Sequence, residues 1–409
     1  MRIYLDNCAT TRVSAEAAKA VWLAMTETYA NPSALHTAGQ EAERIVKQAR
    51  HHVAFAVGAK PANIVFVSSG TEANNMALFS CFRGAFSQNK HLLVSAVEHP
   101  SVLKAAAEIA GKGVRVLTIP VKSKDSDTPG LVDLKAFREL LTTEAGLVSV
   151  MHVNNEIGII QPIDELTRLV SAINEERGTQ ILFHSDVVQS FGKLSIDVEN
   201  GEFRRVDLLS LSAHKIHGPK GIGALYARNP GKLHPLLYGG GQEGGLRSGT
   251  ENVPGIAGFG TAARLSTKDI IAQAKQANVC RRRLADGIAA EIPDVRFIGP
   301  QDASVTGKPG CSSPYILNVS FLGTRGEVVL HELEKSGIFV STASACTSLA
   351  KETGKVRGTY AAIGLTEEEA EGAIRFGISL MNTPAEMDFV VDRLKIAVDH
   401  FRSVGASRH

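Results

Sequence analysis

Residues 206–215 read VDLLSLSAHK, an apolar run that ends in a histidine and a lysine. Six other short segments are also rich in valine, isoleucine and leucine, which is typical of strands buried on both faces of a sheet. Helix-like stretches such as IDELTRLVSAINEE (163–176) separate most of them. The alternation predicts an α/β fold with a mostly parallel seven-stranded sheet covered by helices. The predicted strands are NIVFVSS (63–69), HLLVSAV (91–97), VRVLTIP (114–120), LVSVMHV (147–153), ILFHSDV (181–187), VDLLSLS (206–212) and GIGALYA (221–227).

The length of the chain, 409 residues, exceeds that of most single hydrophobic cores, so two domains are expected. We expect a second, smaller domain from near residue 260. Its signals are a strand, YILNVSF (315–321), a helix around EVVLHELEKSG (327–337) and a C-terminal helix. That last helix is predicted to begin at Thr383-Pro384, because threonine is a favoured N-cap and proline suits the first helical position.

The composition is that of an ordinary globular protein, with 44% hydrophobic and 21% charged residues. Lysine plus arginine (44) nearly equal aspartate plus glutamate (42), so no nucleic-acid or membrane partner is indicated. The first residues, MRIYLDNCATT, contain no apolar signal region, and a cytoplasmic location is expected. The five cysteines lack CxxC spacing, which favours neither a disulfide framework nor a metal site.

Polar residues follow several of the predicted strands at the point where each one ends. The carboxyl ends of parallel strands form the edge at which open α/β sheets bind their ligands. After NIVFVSS, a glycine and a threonine open a helix, whose free N–H groups and dipole favour an anion. The residues that we expect at this edge are Gly70, Thr71, Glu98, His99, Asn154, Asn155, Glu156, Asp186, Gln189, His214 and Lys215.

Each of these residues, taken alone, has a simpler structural interpretation. A strand-end aspartate or asparagine is usually a turn former or a helix cap, and a lone lysine is usually solvated. His152 and His217 are interpreted in this way, as packing or loop residues. Together, however, the edge offers a phosphate site, an acid for a pyridinium nitrogen and a lysine for a Schiff base. Pyridoxal 5'-phosphate requires these three groups.

Several longer stretches resemble the cysteine desulfurases, which supply sulfur for iron–sulfur clusters and thiolated nucleosides. The most specific are SLSAHKIHGPKGIGALY and SACTS, and the matches run in order from residue 4 to about residue 380. The others are YLDNCATT, SSGTEANN, VEHPSV, MHVNNEIG, DVVQSFGK, GGGQEGGLRSGT and AIRFGISL. The resemblance implies a fold-type I pyridoxal-phosphate enzyme with a large cofactor-binding domain, residues 15–259. Residues 1–14 and 260–409 would form a smaller α+β domain that carries a catalytic cysteine.

The resemblance also implies roles for the residues at the strand ends. Lys215 would carry the cofactor as a Schiff base and act as base, Asp186 would keep the pyridine nitrogen protonated, and His99 would stack on the ring and transfer protons. Gln189 and Asn155 would reach the ring hydroxyl. Arg375 would bind the carboxylate of the L-cysteine substrate together with Asn155, since a guanidinium suits a planar acceptor. The phosphate would be held by Gly70, Thr71, Ser212 and His214.

The stretch STASACTS (341–348) places Cys346 among small residues, with no large apolar side chain to bury it. A structural cysteine usually lies in an apolar core, so this thiol is predicted to be accessible. In the resembling family it would attack the sulfur of L-cysteine as a thiolate, leaving a persulfide on Cys346 and releasing alanine. Many relatives have SGSAC where this chain has TASAC, which leaves the identity of the sulfur-acceptor protein open. An iron–sulfur scaffold and a tRNA-thiolation protein are both compatible.

The stretch GGGQEGGLRSGT (239–250) contains six glycines in twelve residues, which predicts a loop rather than a helix or strand. In the resembling family this loop reaches the phosphate of the neighbouring subunit, which implies a homodimer with Thr250 acting across the interface. Three alternative functions remain at this stage. They are a selenocysteine lyase of the same fold, an aminotransferase of the same fold, and a non-catalytic platform in a sulfur-transfer complex. An aminotransferase would need no accessible cysteine, so Cys346 speaks against it.

Overall fold

The computed structural model describes residues 2–82, 90–342, 356 and 358–406. The strands of this part of the chain are β1 (Ile3–Tyr4), β2 (Ile64–Val67), β3 (His91–Ser95), β4 (Arg115–Ile119), β5 (Ala145–Ser149), β6 (Leu182–Asp186), β7 (Leu208–Ser212), β8 (Gly223–Ala227), β9 (Val295–Phe297), β10 (Ile316–Phe321), β11 (Ile338–Phe339), β12 (Ser341–Thr342) and β13 (Ala373–Gly377). Its α-helices are α1 (Ala15–Thr26), α2 (Thr37–Phe55), α3 (Gly70–Cys81), α4 (Pro100–Gly111), α5 (Leu134–Leu140), α6 (Ile163–Arg177), α7 (Val253–Ser266), α8 (Ile270–Glu291), α9 (Gly326–Lys335), α10 (Gly358–Ala362), α11 (Glu367–Glu371) and α12 (Pro384–Ala406).

The central sheet has seven strands in the order β2-β8-β7-β6-β5-β3-β4. All pairs from β7 to β4 are parallel, whereas β8 is antiparallel to both of its neighbours. The prediction of a mostly parallel seven-stranded sheet is therefore confirmed. Six of the seven strands lie within their predicted bounds, and β5 begins two residues earlier than expected.

Helices cover both faces of this sheet, and the alternation of side chains along each strand decides which face a residue serves. Val148 and Leu209 point into the core that α2 and α7 cover. Leu147 and Leu208 point into the opposite core, which contains residues of α3 and α4. Asp186 contacts α3, so the carboxyl end of β6 presents its acid on the α3–α4 face.

A separate hydrophobic core surrounds the antiparallel sheet β12-β13-β10-β9. Helices α8 and α12 contribute to it, and so do Ile3 and Leu5 of the N-terminal segment, where β1 pairs with β11. Helix α12 begins at Pro384 with Thr383 accepting a hydrogen bond from the Glu386 amide at 3.3 Å, as the sequence predicted. We call the core on the α2–α7 face of the central sheet the first core and the core around the antiparallel sheet the second core. Helix α7 packs into the first core and α8 into the second. The predicted domain bounds stay a prediction.

Among the helices in the described ranges, none combines the length and the apolar character that crossing a lipid bilayer would require.

Candidate active site

The carboxylate of Asp186 lies at the end of β6, where it is almost fully buried. One oxygen, Oδ2, accepts a hydrogen bond from Asn74 Nδ2 at 2.8 Å. The other, Oδ1, accepts the backbone amide of Val188 at 2.9 Å. Two donors therefore hold the acid group in one orientation at the edge of the sheet, where the sequence placed it.

The imidazole of His99 lies at the first turn of α4, which Pro100 opens. Its Nδ1 accepts the backbone amide of Ser101 at 3.1 Å and lies 2.8 Å from the Ser101 hydroxyl. His99 is exposed, but desolvation by the surrounding protein lowers the pKa of its ring, and the positive charge of Lys215 lowers it further. The charge of Asp186 acts in the opposite direction. These three predicted residues thus share one electrostatic environment.

The ε-amine of Lys215 follows β7 through a short 3-10 turn, Ala213–Lys215. Its Nζ donates to the carbonyl oxygens of Cys8 and of Ala9, the latter at 2.7 Å. Burial lowers the pKa of Lys215 to about 8, and the nearby charge of Lys193 lowers it as well. The unprotonated fraction of this amine near neutral pH is therefore far larger than that of an exposed lysine, which favours a nucleophilic or basic role.

The start of α3 and the end of β7 form a narrow cradle. Gly70 occupies the first helical position, and a Cβ placed there would come within 2.8 Å of Val188 Cγ2 and 3.6 Å of Ser212 Cβ. The Ser212 hydroxyl is buried and has no hydrogen-bond partner within the described part of the chain. Thr71 follows at the second helical position and is exposed. The free amides of the helix and the unused hydroxyl suit an anion.

His214 lies beside this cradle, with Nδ1 3.2 Å from the Thr10 hydroxyl. Its pKa is lowered to about 3, first by burial and then by nearby lysines such as Lys215 and Lys220. The ring is therefore neutral at physiological pH. It can donate one hydrogen bond to a phosphate without adding charge.

Gln189 is buried next to the same N-terminal segment that holds Lys215. Its Nε2 donates to the carbonyl of Cys8 at 2.9 Å, and its Oε1 lies 3.5 Å from Lys193 Nζ. One backbone carbonyl thus binds both Gln189 and Lys215. The sequence predicted neither this carbonyl nor the buried Lys193.

Arg375 lies on β13, in the antiparallel sheet, and is nearly fully buried. It donates to the backbone carbonyl of Asn155 at 3.0 Å and forms an ion pair with Asp6 Oδ1 at 3.1 Å. The predicted substrate pair, Arg375 and Asn155, is therefore in direct contact. Asn154, by contrast, is a turn former, because its Oδ1 accepts the amides of Glu156 and Ile157.

Glu98 precedes His99 and is completely buried. Its Oε1 accepts the Ser95 hydroxyl at 2.5 Å and the Met151 amide at 2.7 Å, and no described group bonds Oε2. Burial raises the pKa of Glu98 to about 8, so the side chain is largely protonated at neutral pH. The hydrogen bonds join the end of β3 to the segment after β5, one residue before His99.

These groups fit pyridoxal phosphate by their chemistry. The buried Ser212 hydroxyl without a partner and the Gly70 cradle suit its phosphate. Asp186 suits the pyridine nitrogen, and Lys215 has the lowered pKa that attachment to an aldehyde requires. Groups that suit the phosphate, the ring nitrogen and the aldehyde of one cofactor thus lie at one edge of the sheet.

Two further residues were predicted for the site, Cys346 and Thr250. Cys346 lies outside the described residues. Thr250 is exposed and lines a groove with Ser68 and Gly221. The sequence analysis missed Asn74, Ser101 and Asp6 as site residues, although they lie in the stretches SSGTEANN, VEHPSV and YLDNCATT that carry the family resemblance.

Comparisons with known proteins agree with one another. A family model described as Aminotransferase class-V matches residues 3–390. The chain is 36% identical over 402 residues to "Cysteine desulfurase IscS" of Dictyoglomus turgidum, covering 98% of this chain and 96% of that relative. A solved structure named "NIFS-LIKE PROTEIN" superposes with a TM-score of 0.86 at 35% identity, covering 98% of this chain and all of that one. Another, "SspA in complex with cysteine", has a TM-score of 0.73 at 31% identity, covering 93% of this chain and 100% of that one.

Proposed function

The chain belongs to the class-V aminotransferase family, and from this premise we infer that it is a pyridoxal-phosphate-dependent cysteine desulfurase. Its substrate is L-cysteine, and its products are L-alanine and a sulfur atom held for transfer. The observation that carries this inference is the convergence of Lys215, with its lowered pKa, and the buried Asp186 at adjacent strand ends.

We propose the following residues for the cofactor. Pyridoxal phosphate, when bound, supplies an aldehyde that holds the amino group of the substrate and a ring that accepts electrons. Lys215 would hold it covalently, Asp186 would bond its ring nitrogen, and His99 would lie against its ring. Gln189 and Asn155 would reach the ring hydroxyl. The phosphate would be held by Gly70, Thr71, Ser212 and His214.

Proton transfer falls to Lys215 in this proposal. The amine of Lys215 is freed when the amino group of the substrate replaces it. Its Nζ atom then removes the α-proton of cysteine. The carbonyl oxygens of Cys8 and Ala9 then stabilise the resulting ammonium, because a hydrogen bond from a cationic donor is stronger than one between neutral groups. Arg375 orients the substrate carboxylate from β13.

Sulfur transfer falls to Cys346. Its thiolate attacks the sulfur of the bound cysteine, so that an S–S bond forms and the Cβ–S bond breaks. The electron pair of the broken bond passes to Cβ, which takes up a proton and becomes the methyl group of alanine, and the ammonium group of Lys215 returns a proton to Cα. Cys346 is left as a persulfide, and no external oxidant or reductant is needed.

A substitution of Cys346 tests this assignment. Cys346→Ser should keep the visible absorbance of the bound cofactor but lower alanine formation by at least about 10³-fold, because a hydroxyl cannot replace the thiolate nucleophile. Cys311→Ser, which removes a half-buried thiol elsewhere, is the matched control and should behave as wild type. Mass spectrometry should find the additional sulfur on Cys346. A persulfide on Cys8, Cys81, Cys280 or Cys311 would show that the nucleophile is misassigned.

We also propose a homodimer in which Thr250 completes the phosphate site of the partner chain. The glycine-rich loop is held to its own chain by two ion pairs: Glu243 with Arg50 at 2.6 Å, and Arg247 with Glu72 at 3.0 Å. Glu72 lies in the first turn of α3, beside the Gly70 cradle. This anchoring leaves Thr250 exposed, as a residue that serves another subunit must be.

Mixed dimers test whether Thr250 acts across the interface. One chain would carry Lys215→Ala and the other a disruptive Thr250→Asp. If the loop acts in trans, both defects fall in one site, and the heterodimer keeps about half of the wild-type activity, as expected for two independent sites of a two-fold dimer. An inactive heterodimer would mean that Thr250 serves its own chain.

The persulfide would pass to an acceptor protein, an iron–sulfur scaffold or a tRNA-thiolation protein. Capture of such a protein as a mixed disulfide by the persulfidated enzyme, but not by Cys346→Ser, tests this step. We place the enzyme in the cytoplasm, because a reducing compartment keeps a catalytic thiol free. Fractionation of cells that express the tagged protein checks the location.

A further inference from the structure

A continuous hydrogen-bond chain connects the acid of the site to its histidine. Asn74 Nδ2 lies 2.8 Å from Asp186 Oδ2 and also 2.8 Å from Ser101 Oγ. Ser101 Oγ lies 2.8 Å from His99 Nδ1. Asn74 is nearly fully buried on α3, so the chain joins three elements: β6, α3 and α4. No role in the proposed reaction has so far been given to Asn74 or Ser101.

The direction of each hydrogen bond in this chain follows from its two ends. A carboxylate can only accept, so the Asn74 amide must present its NH₂ group to Asp186. The second hydrogen of that NH₂ group points to the Ser101 oxygen, which therefore accepts. The Ser101 hydroxyl has its own hydrogen left, and it donates this to His99 Nδ1.

The backbone gives the same answer independently. The Ser101 amide also donates to His99 Nδ1, at 3.1 Å, and a backbone N–H has no other polarity. Two donors therefore converge on one ring nitrogen. That nitrogen carries no hydrogen, and a neutral ring must carry its single proton on Nε2.

We propose, building on the proposed function, that Asn74 and Ser101 are positioning residues that hold His99 as the neutral, Nε2-protonated tautomer and fix the orientation of Asp186. In this form, Nε2 is the atom of His99 that donates a proton or a hydrogen bond. The ring can become charged only if Nδ1 takes a proton, which would break both bonds from Ser101. Ser101 thus keeps the stacked ring neutral, and Asn74 couples that state to the acid.

Other titratable groups also lie near His99 and must be kept constant in any test. Asp186 acts from β6, Lys215 from the turn after β7, and Glu98 precedes His99 in the chain. A substitution of Ser101 changes none of these groups. Ser101→Thr keeps the hydroxyl as well, so it is the conservative partner of Ser101→Ala.

The test uses the cofactor-free protein labelled with ¹⁵N-histidine. Two-bond ¹H–¹⁵N correlation spectra distinguish the two tautomers, and the His99 signals are those that disappear in His99→Gln. The wild type should show the Nε2-protonated pattern at neutral pH. Ser101→Ala should raise the pKa of His99 by about one unit, because it removes a hydrogen bond to the neutral form. Ser101→Thr should restore the wild-type value.

Variants of α3 separate coupling from general disturbance. Asn74→Ala should raise the pKa of His99 by a smaller amount, since the Ser101 hydroxyl loses the donor that orients it. The neighbouring Asn75→Ala should leave it unchanged, because among the described residues the Asn75 amide bonds the Thr71 carbonyl of its own helix, at 2.9 Å, and not the chain to His99. A proton on Nδ1 in the wild type overturns the proposal, and this measurement needs no variant of Ser101 or Asn74, only His99→Gln for the assignment. An unchanged pKa in Ser101→Ala, or an equal shift in Asn75→Ala, also overturns it. None of these results depends on desulfurase activity, so they are separate from a failure of the proposed function.

Discussion

Two groups of residues surround Lys215, and different kinds of contact hold them in place. The strand-end group lies on the α3–α4 face of the central sheet and comprises Asn74, Asp186, His99 and Ser101. The junction group lies where the second core meets the first and comprises Asp6, Cys8, Ala9 and Arg375. The first group is joined by side-chain hydrogen bonds within one domain core. The second binds the site through backbone carbonyls and one ion pair.

The difference lies in how far along the chain each contact reaches. His99 and Ser101 are two residues apart and Asn74 and Asp186 are 112 apart, whereas Arg375 pairs with Asp6 across 369 residues and Lys215 with Cys8 across 207. The strand-end group follows from the order of strands in one sheet. The junction group requires that two cores pack together. In the proposed function, the cofactor ring is thus held on one face of the central sheet, and substrate binding depends on the contact between the two cores.

Lys215 is the side chain that spans both groups, so its loss should have the largest effect. Lys215→Ala removes the covalent anchor for the cofactor and the proposed base, and turnover should fall by more than about 10³-fold. The visible absorbance of the covalently bound cofactor should disappear with it. Alanine formation and the absorption spectrum measure the two losses. Lys19→Ala, which changes an exposed lysine of α1, is the control; normal turnover in Lys215→Ala would contradict the assignment.

The sequence predicted the strand-end group better than the junction group, because the order of strands in one sheet can be read from the sequence and the packing of two cores cannot. Periodic apolar runs located the strands, including ILFHSDV for β6, and parallel strands place their carboxyl ends together. The run VDLLSLSAHK placed Lys215 correctly for the same reason. Asn74 was missed because a helical asparagine gives no sign that it faces an acid 112 residues away. The carbonyls of Cys8 and Ala9 were missed because a backbone group leaves no mark in the sequence.

The second prediction concerns Glu98, a buried residue that precedes His99 of the strand-end group in the chain. Its ordinary pKa of 4.5 is raised to about 8 by burial, so the folded protein keeps a proton that the unfolded chain loses. Stability should therefore fall as the pH rises from about 4.5 to about 8, by roughly 4 kcal/mol from this residue. Glu98→Gln should remove that dependence, because a neutral amide can accept both existing hydrogen bonds. Urea unfolding of both proteins across this range measures the difference. Parallel pH profiles would show that Glu98 is already ionised in the folded state.

The smallest expected effect belongs to Asp6, and it tests whether the junction group serves the substrate or only joins the cores. Asp6 pairs with the guanidinium that we expect to bind the substrate carboxylate. Asp6→Asn keeps a hydrogen-bond acceptor for Arg375 but removes the competing negative charge. The pair is partly exposed, with 23% of the Asp6 side chain accessible, so the KM for cysteine should fall only about 2- to 5-fold. The kcat should not change, because Asp6 touches no reacting atom in the proposed mechanism.

Arg375→Gln gives the opposite limit of the same test. It should raise the KM by roughly 10- to 100-fold, since a charged hydrogen bond to the carboxylate is lost. If Asp6→Asn leaves the KM unchanged while Arg375→Gln unfolds the protein, the ion pair only joins the two cores. If Asp6→Asn lowers the KM as expected, Asp6 occupies the substrate site until cysteine displaces it. The junction between the cores then takes part in recognition, and the strand-end group is left with the chemistry alone.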